Sequence, residues 1–135
     1  MPEELVILHR DEHIVVIDKP PNLLVHRSEI DRHETRFAIQ ILRDQIGQRV
    51  WPAHRLDRGT SGVLLFGLSP EIAGILARQF AAGLVRKCYW AVVRGHPPLA
   101  GTIDHALSRQ RDAYEFSGER SSQDAQTALT HYRRL

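Results

Sequence analysis

Val63-Leu64-Leu65-Phe66 is an unbroken apolar run closed on either side by Gly62 and Gly67. It is too short for a helix and predicts a buried strand. A buried strand needs partner strands for its backbone and a covering layer for its side chains. The rest of the chain offers both. LVILHRDEHIVVIDK predicts two short strands with a turn at Asp11-Glu12-His13. Pro20 and Pro21 lack the N–H that a ladder needs, so Pro20-Pro21-Asn22 closes the second strand in another turn. A helix is predicted from Thr35 to Ile46, where Phe37, Ala38, Ile41, Leu42 and Ile46 form one apolar stripe and Gly47 suits the end. Ser69-Pro70-Glu71 predicts a second helix start: a serine cap, a first-turn proline and an acid at the positive end of the dipole. Ile72, Ile75, Leu76 and Phe80 form its expected inner face, and Gly83 ends it. Lys87 to Val93 alternates like another strand, with Trp90 turned to the core. Residues 108–124 read as a polar loop, and Ala128 to Leu135 opens a last strand. Strands and helices share one core, so the predicted class is α+β: a mixed, largely antiparallel sheet with flanking helices.

Composition narrows the function. No apolar stretch in the 135 residues approaches a membrane span, which takes about 20 residues. The start, MPEELVILHR, carries acids where a secretory leader carries bases. Cys88 is the single cysteine, so a reducing, cytoplasmic setting is expected. The net charge of +2 permits an anionic partner without demanding one. Of the eighteen Lys and Arg residues only Lys19 and Lys87 are lysines. Arginine gives a planar fork for phosphates and a face that stacks on bases, although a GC-rich genome produces the same bias. No phosphate loop or dinucleotide fingerprint is present. His9 and His13 are four apart but sit in a strand–turn context, and are not read as a zinc site.

The chemistry-bearing stretch is HRLDRGTSG, residues 54–62, directly ahead of the apolar run. Asp57 stands between Arg55 and Arg58, whose positive charges favour an ionised carboxylate. Such a group serves as nucleophile or base at neutral pH and is a poor general acid. Gly59 and Gly62 let the backbone bend, and Thr60 and Ser61 are expected to brace the turn. A loop aspartate more often only caps backbone amides; the whole string points further. On an alternating strand Arg55 and Asp57 would share a side.

HRLDRGTSG resembles the signature of the RluA family of pseudouridine synthases, H-R-L-D-x-x-T-S-G followed by an apolar strand. His54, Arg55, Leu56, Asp57, Thr60, Ser61 and Gly62 all match. VIDKPPNLLVH resembles the family's earlier K-P-x-G-x-x-V-H stretch through Lys19, Pro20, Val25 and His26, with Asn22 where glycine is common. RKCYWAVVRG resembles the later K-x-Y-x-A-x-V-x-G stretch through Lys87, Tyr89, Ala91, Val93 and Gly95. Within the family, LLVHRSEIDRHE and RDQIGQRVWPAHRLDRGTSGVLLFGLS look closest to a branch that modifies tRNA at a stem uridine, position 65.

The resemblance implies an RNA uridine-to-pseudouridine isomerase that needs no cofactor and no metal, binds RNA (tRNA in the first place), has no membrane partner and acts as a monomer. It makes Asp57 the catalytic carboxylate, as nucleophile or as base; both routes stay open. Arg55 becomes the residue that fills the space left by the flipped uridine, and Tyr89 the aromatic face for the uracil. Lys19, His26 and Arg58 become RNA contacts or site support, with Arg27 beside them. The family's later G-R-x-H-Q-x-R stretch has no counterpart in the chain. Residues 1–135 therefore read as the N-terminal part of a single catalytic domain, with a catalytically incomplete RNA-binding remnant as the alternative. A hydrolase or kinase is disfavoured, because G-x-S-x-G spacing and an H-R-D loop are both missing.

Overall fold

The computed structural model describes residues 3–27, 35–107 and 126–135. The polar loop expected over 108–124 lies outside the described residues. The chain divides into two units, Met1–Cys88 and Tyr89–Leu135.

The first unit holds a four-stranded antiparallel sheet in the order β1-β2-β4-β3, with β1 Val6–Arg10, β2 Ile14–Lys19, β3 Trp51–Pro52 and β4 Gly62–Gly67. The two expected strands and their turn are present. Asp11 organises that turn: its Oδ1 accepts the N–H groups of His13 and Ile14, and its Oδ2 meets His9 Nε2 at 2.9 Å. The His9 bond, helped by the two backbone donors, draws the Asp11 pKa down to about 2. Along β2 the period of two buries Val15, Ile17 and Lys19 on one face. Along β4 it buries Leu64 and Phe66, opposite Ile17 and Val15. Val63 faces out and is exposed, but Leu65 on the same side is part-buried and Gly67 is buried, so the second face of the run is covered towards its Gly67 end.

The core joins this inner face to Leu5, Leu23, Val25, Val50 and Leu56, and to Ala38 and Leu42 of helix α1. Helix α1, Ala38–Ile46, starts three residues later than Thr35. The delay has a backbone cause. Phe37 pairs with Leu24, and the N–H groups of Ala38 and Ile39 donate to the carbonyls of Leu24 and Val25. Backbone acceptors thus do the work of a side-chain cap. Gly47 ends the helix at φ 68°, the left-handed turn that glycine adopts without penalty. Helix α2, Pro70–Ala81, follows the reading from sequence: Ser69 Oγ accepts the Ile72 N–H. Its inner face departs from expectation, with Ala73 buried and Ile75 exposed. Gly67 explains why, since a Cβ there would stand 2.6 Å from Ala73 N. Helix and strand approach so closely that only small residues fit.

The second unit contains β5, Ala100–Asp104, paired antiparallel with β6, Leu129–Arg133, so the last strand does find a partner. Tyr132 covers Gly101, where an added Cβ would lie 2.7 Å from its ring. The strand expected over Lys87–Val93 is absent, and Trp90 is exposed rather than in a core. The stretch has a strand's alternation, but no described segment pairs with it, and a strand exists only through its ladder. The observed class is α+β with antiparallel sheets, as read from the sequence.

Gly67→Ala is expected to lower stability by about 1–3 kcal/mol through overpacking against α2; denaturant titration of the variant beside the parent checks it.

Candidate active site

The signature loop runs from Ala53 to Ser61 between β3 and β4. It is irregular and does not keep a strand's period of two. Ala53 and Leu56 are buried, whereas Arg55, Asp57 and Arg58 are exposed. Leu56 belongs to the hydrophobic core and anchors the loop at its middle. Arg55 and Asp57 flank it and are both exposed.

Three polar ties hold this loop. The first is His54. Ala53 N donates to Leu65 O at 3.0 Å, and Leu65 N then donates to His54 Nε2 at 3.1 Å. An imidazole nitrogen therefore replaces the next ladder carbonyl where β3 leaves the sheet. An accepting Nε2 carries no proton, so the single ring proton is on Nδ1 and the ring is neutral. The ring stacks on Phe80 at 4.5 Å between centroids. Burial, with a smaller contribution from the positive charge of Lys87, draws the His54 pKa below its usual 6.5.

The second tie is Lys19. The β2 period carries its side chain to the core face, where it is fully buried. A buried ammonium is tolerated only when its donors are satisfied. Lys19 Nζ donates to the carbonyls of Leu23 at 2.7 Å, Pro20 at 2.9 Å and Arg58 at 3.2 Å. It joins the end of β2, the Pro20-Pro21-Asn22 turn and the signature loop in one knot. Burial lowers its pKa below the usual 10.5, and the nearby negative charge of Asp57 pulls the other way.

The third tie is Asn22, whose N–H donates to the same Arg58 carbonyl at 2.8 Å. Asn22 sits at φ 64°, which accounts for the glycine usual at this place: asparagine tolerates that conformation best after glycine. Inside the loop Thr60 N donates to Asp57 O at 3.0 Å.

The structure thus brings Lys19, Asp57 and the Arg58 backbone together. Lys19 is occupied entirely by protein carbonyls, which fits site support rather than contact with a partner. No ion pair joins Asp57 to a described residue; its negative charge acts on the buried Lys19. Its carboxylate is exposed on a braced loop, open to an incoming group. His26 is half-buried, its Nδ1 donating to Arg27 O. Tyr89 opens the second unit, in the irregular stretch, and is exposed. Sequence reasoning gave His54 no role of its own, though a histidine at a strand exit opposite an unpaired ladder N–H was the available signal. Among the described residues no group of three or more His, Cys, Asp or Glu is placed to hold a metal ion, and no helix is long and apolar enough to cross a membrane.

Comparison with known proteins decides the family. The model for RNA pseudouridylate synthase matches residues 13–135. The chain belongs to this family. It is 49% identical over 128 residues to a tRNA pseudouridine synthase C of Pasteurella multocida, covering 95% of this chain and 53% of that protein. It is 47% identical over 134 residues to the protein of the same name from Vibrio parahaemolyticus, covering 99% and 54%. Among solved structures, human RNA pseudouridylate synthase domain containing 4 superposes with a TM-score of 0.73 at 28% identity, over 95% of this chain and 52% of that one. Human RNA pseudouridylate synthase domain containing 1 gives 0.70 at 27%, over 97% and 52%. The chain spans about half the length of the curated relatives it matches. The RluA-type resemblance carried by HRLDRGTSG is borne out.

Two outcomes are expected. Lys19→Met leaves carbonyls without a donor and lowers stability by about 2–3 kcal/mol, and limited proteolysis should then cut the 53–61 loop first. Neutral His54 stabilises the fold fully above pH 6.5, and that contribution is lost as pH falls through its lowered folded pKa. The stability advantage of the parent over His54→Gln, followed by thermal melts, should therefore shrink on acidification.

Proposed function

We propose that the protein isomerises uridine to pseudouridine in RNA, at a stem uridine of tRNA, position 65, and that residues 1–135 are the N-terminal part of a single catalytic domain. Family membership supports the reaction class. Relatives named tRNA pseudouridine synthase C, at 47–49% identity, support tRNA as the substrate. One observation carries the assignment of the reacting group: Asp57 holds an exposed carboxylate, unpaired among the described residues, on a loop fixed by Leu56, His54 and Lys19.

In the reaction the bond from ribose C1′ to N1 breaks, the uracil turns over and C5 bonds to C1′. The proton lost from C5 is matched by one gained at N1, so the change is redox-neutral. Asp57 acts in its ionised form, either attacking C1′ or taking a proton from the sugar. A uridine within a stem must first leave the stack, at a cost of a few kcal/mol. Arg55 is exposed two residues from Asp57 on the same loop, which supports its role as the planar cation that enters the vacated space. Tyr89 offers the uracil an aromatic face, Arg58 and His26 contact RNA or support the site, and Lys19 holds the loop.

The test is nucleoside mass spectrometry of a tRNA transcript after incubation with the protein extended to its relatives' full length. The parent converts the stem uridine. Asp57→Asn lowers conversion by at least about 10³-fold while tRNA affinity stays within about twofold. Undiminished conversion by Asp57→Asn overturns the assignment. Residues 1–135 alone are expected to bind the tRNA with little conversion; an RNA-binding remnant gives no product at any length.

A further inference from the structure

We propose that a groove lined by Arg27, Arg43 and Arg49 is an RNA-backbone site, one that grips phosphodiester oxygens at a place apart from the signature loop. The proposal rests on the reading that the protein acts on RNA.

The groove has a volume of about 370 Å³, and among the described residues its lining holds three arginines and no acidic residue. The fold assembles it from three places. Arg27 follows the turn after Val25, Arg43 lies in the last turn of α1, and Arg49 follows the left-handed Gly47 that reverses the chain into β3. Buried Val50 fixes that return.

Two of the guanidinium groups rest on aromatic faces. Arg27 Cζ lies 5.7 Å from the Phe37 ring centroid, and Arg49 Cζ lies 5.1 Å from that of Trp51. A guanidinium over a ring is held by cation–π attraction and has less freedom to lose on binding. Arg43 is steadied differently, its Nε and Nη2 both lying 3.0 Å from Asp44 Oδ1. That bond uses part of its fork and leaves other N–H groups for a ligand. Gln40 adds a neutral polar side chain to the lining.

The chemistry of the lining chooses the ligand. Of the three cations only Arg43 has a paired acid among the described residues, Asp44, so the groove keeps a positive excess that an anion relieves. Arginine forks match the paired oxygens of a phosphodiester. Several such groups in one groove fit a chain of phosphates better than a single small anion. The groove then fixes where an RNA lies without reading its sequence.

Two measurements test this on the 135-residue chain. The first modifies arginines with a dicarbonyl reagent, with and without tRNA, and reads each site by mass spectrometry. Arg27, Arg43 and Arg49 should be protected, and exposed Arg78 of α2 should not. The second follows tRNA affinity against salt. Each of Arg27→Gln, Arg43→Gln and Arg49→Gln should reduce the slope of log affinity against log salt by about 0.7–0.9. The triple Gln variant should lose about 2–3, the triple Lys variant should keep its slope, and Arg78→Gln should match the parent. If tRNA binds with an undiminished slope in the triple Gln variant and leaves the three arginines reactive, the groove proposal falls and the enzyme reading stands. Protection by polyglutamate but not by tRNA also overturns it, in favour of an acidic protein partner. Absence of any salt-dependent tRNA binding by the parent overturns the underlying RNA reading.

Discussion

The ammonium of Lys19 is the constraint on which the site region depends. A lysine in phase with Val15 and Ile17 must point into the core, and there its charge requires acceptors. The chain meets that demand with three carbonyls from two segments: Pro20 and Leu23 around one turn, and Arg58 thirty-nine residues away. Satisfying the charge therefore forces the signature loop against the end of β2. The Asn22 N–H, sharing the Arg58 carbonyl, repeats the link with a backbone donor. Burying the ammonium costs desolvation that the three carbonyls offset, and removing it would leave those carbonyls without their donor.

That arrangement explains how an irregular loop presents a carboxylate reproducibly. His54 closes the sheet at one end, Leu56 enters the core in the middle, and the Arg58 carbonyl is tied at the other end. Between these ties Arg55 and Asp57 are exposed. A planar cation and a carboxylate thus reach solvent two residues apart on one braced loop. The bracing groups are themselves polar and buried or half-buried, which makes the loop sensitive to their protonation as well as to their removal.

Much of this was legible in the residues, for physical reasons. β2, β4 and the start of α2 were readable because period-two burial, a glycine-bounded apolar run and a Ser-Pro-Glu cap are local signals. The start of α1 was not, because its first N–H groups are satisfied by Leu24 and Val25, a non-local pairing. Ile75 was misplaced because the close approach of Gly67 to Ala73 decides which face of α2 is inner. The alternation in RKCYWAVVRG was read as a strand, but alternation states a preference and pairing makes the strand. At the site, Asp57 and Arg55 stood out by their neighbours in sequence. The part of Lys19 was open until the structure showed where its donors go, and the tie made by His54 depends on the N–H of Leu65, eleven residues on.

The measurement that bears most directly on this account is amide hydrogen exchange at Asn22 and Leu65, resolved by NMR. If Lys19 and His54 fix the loop to the sheet, both amides exchange as slowly as those of the β2–β4 ladder, and Asn22 loses that protection selectively in Lys19→Met. If Asn22 and Leu65 exchange as fast as the amide of exposed Gly59 in the parent chain, the loop is not held in the way described, and the presentation of Asp57 needs another cause.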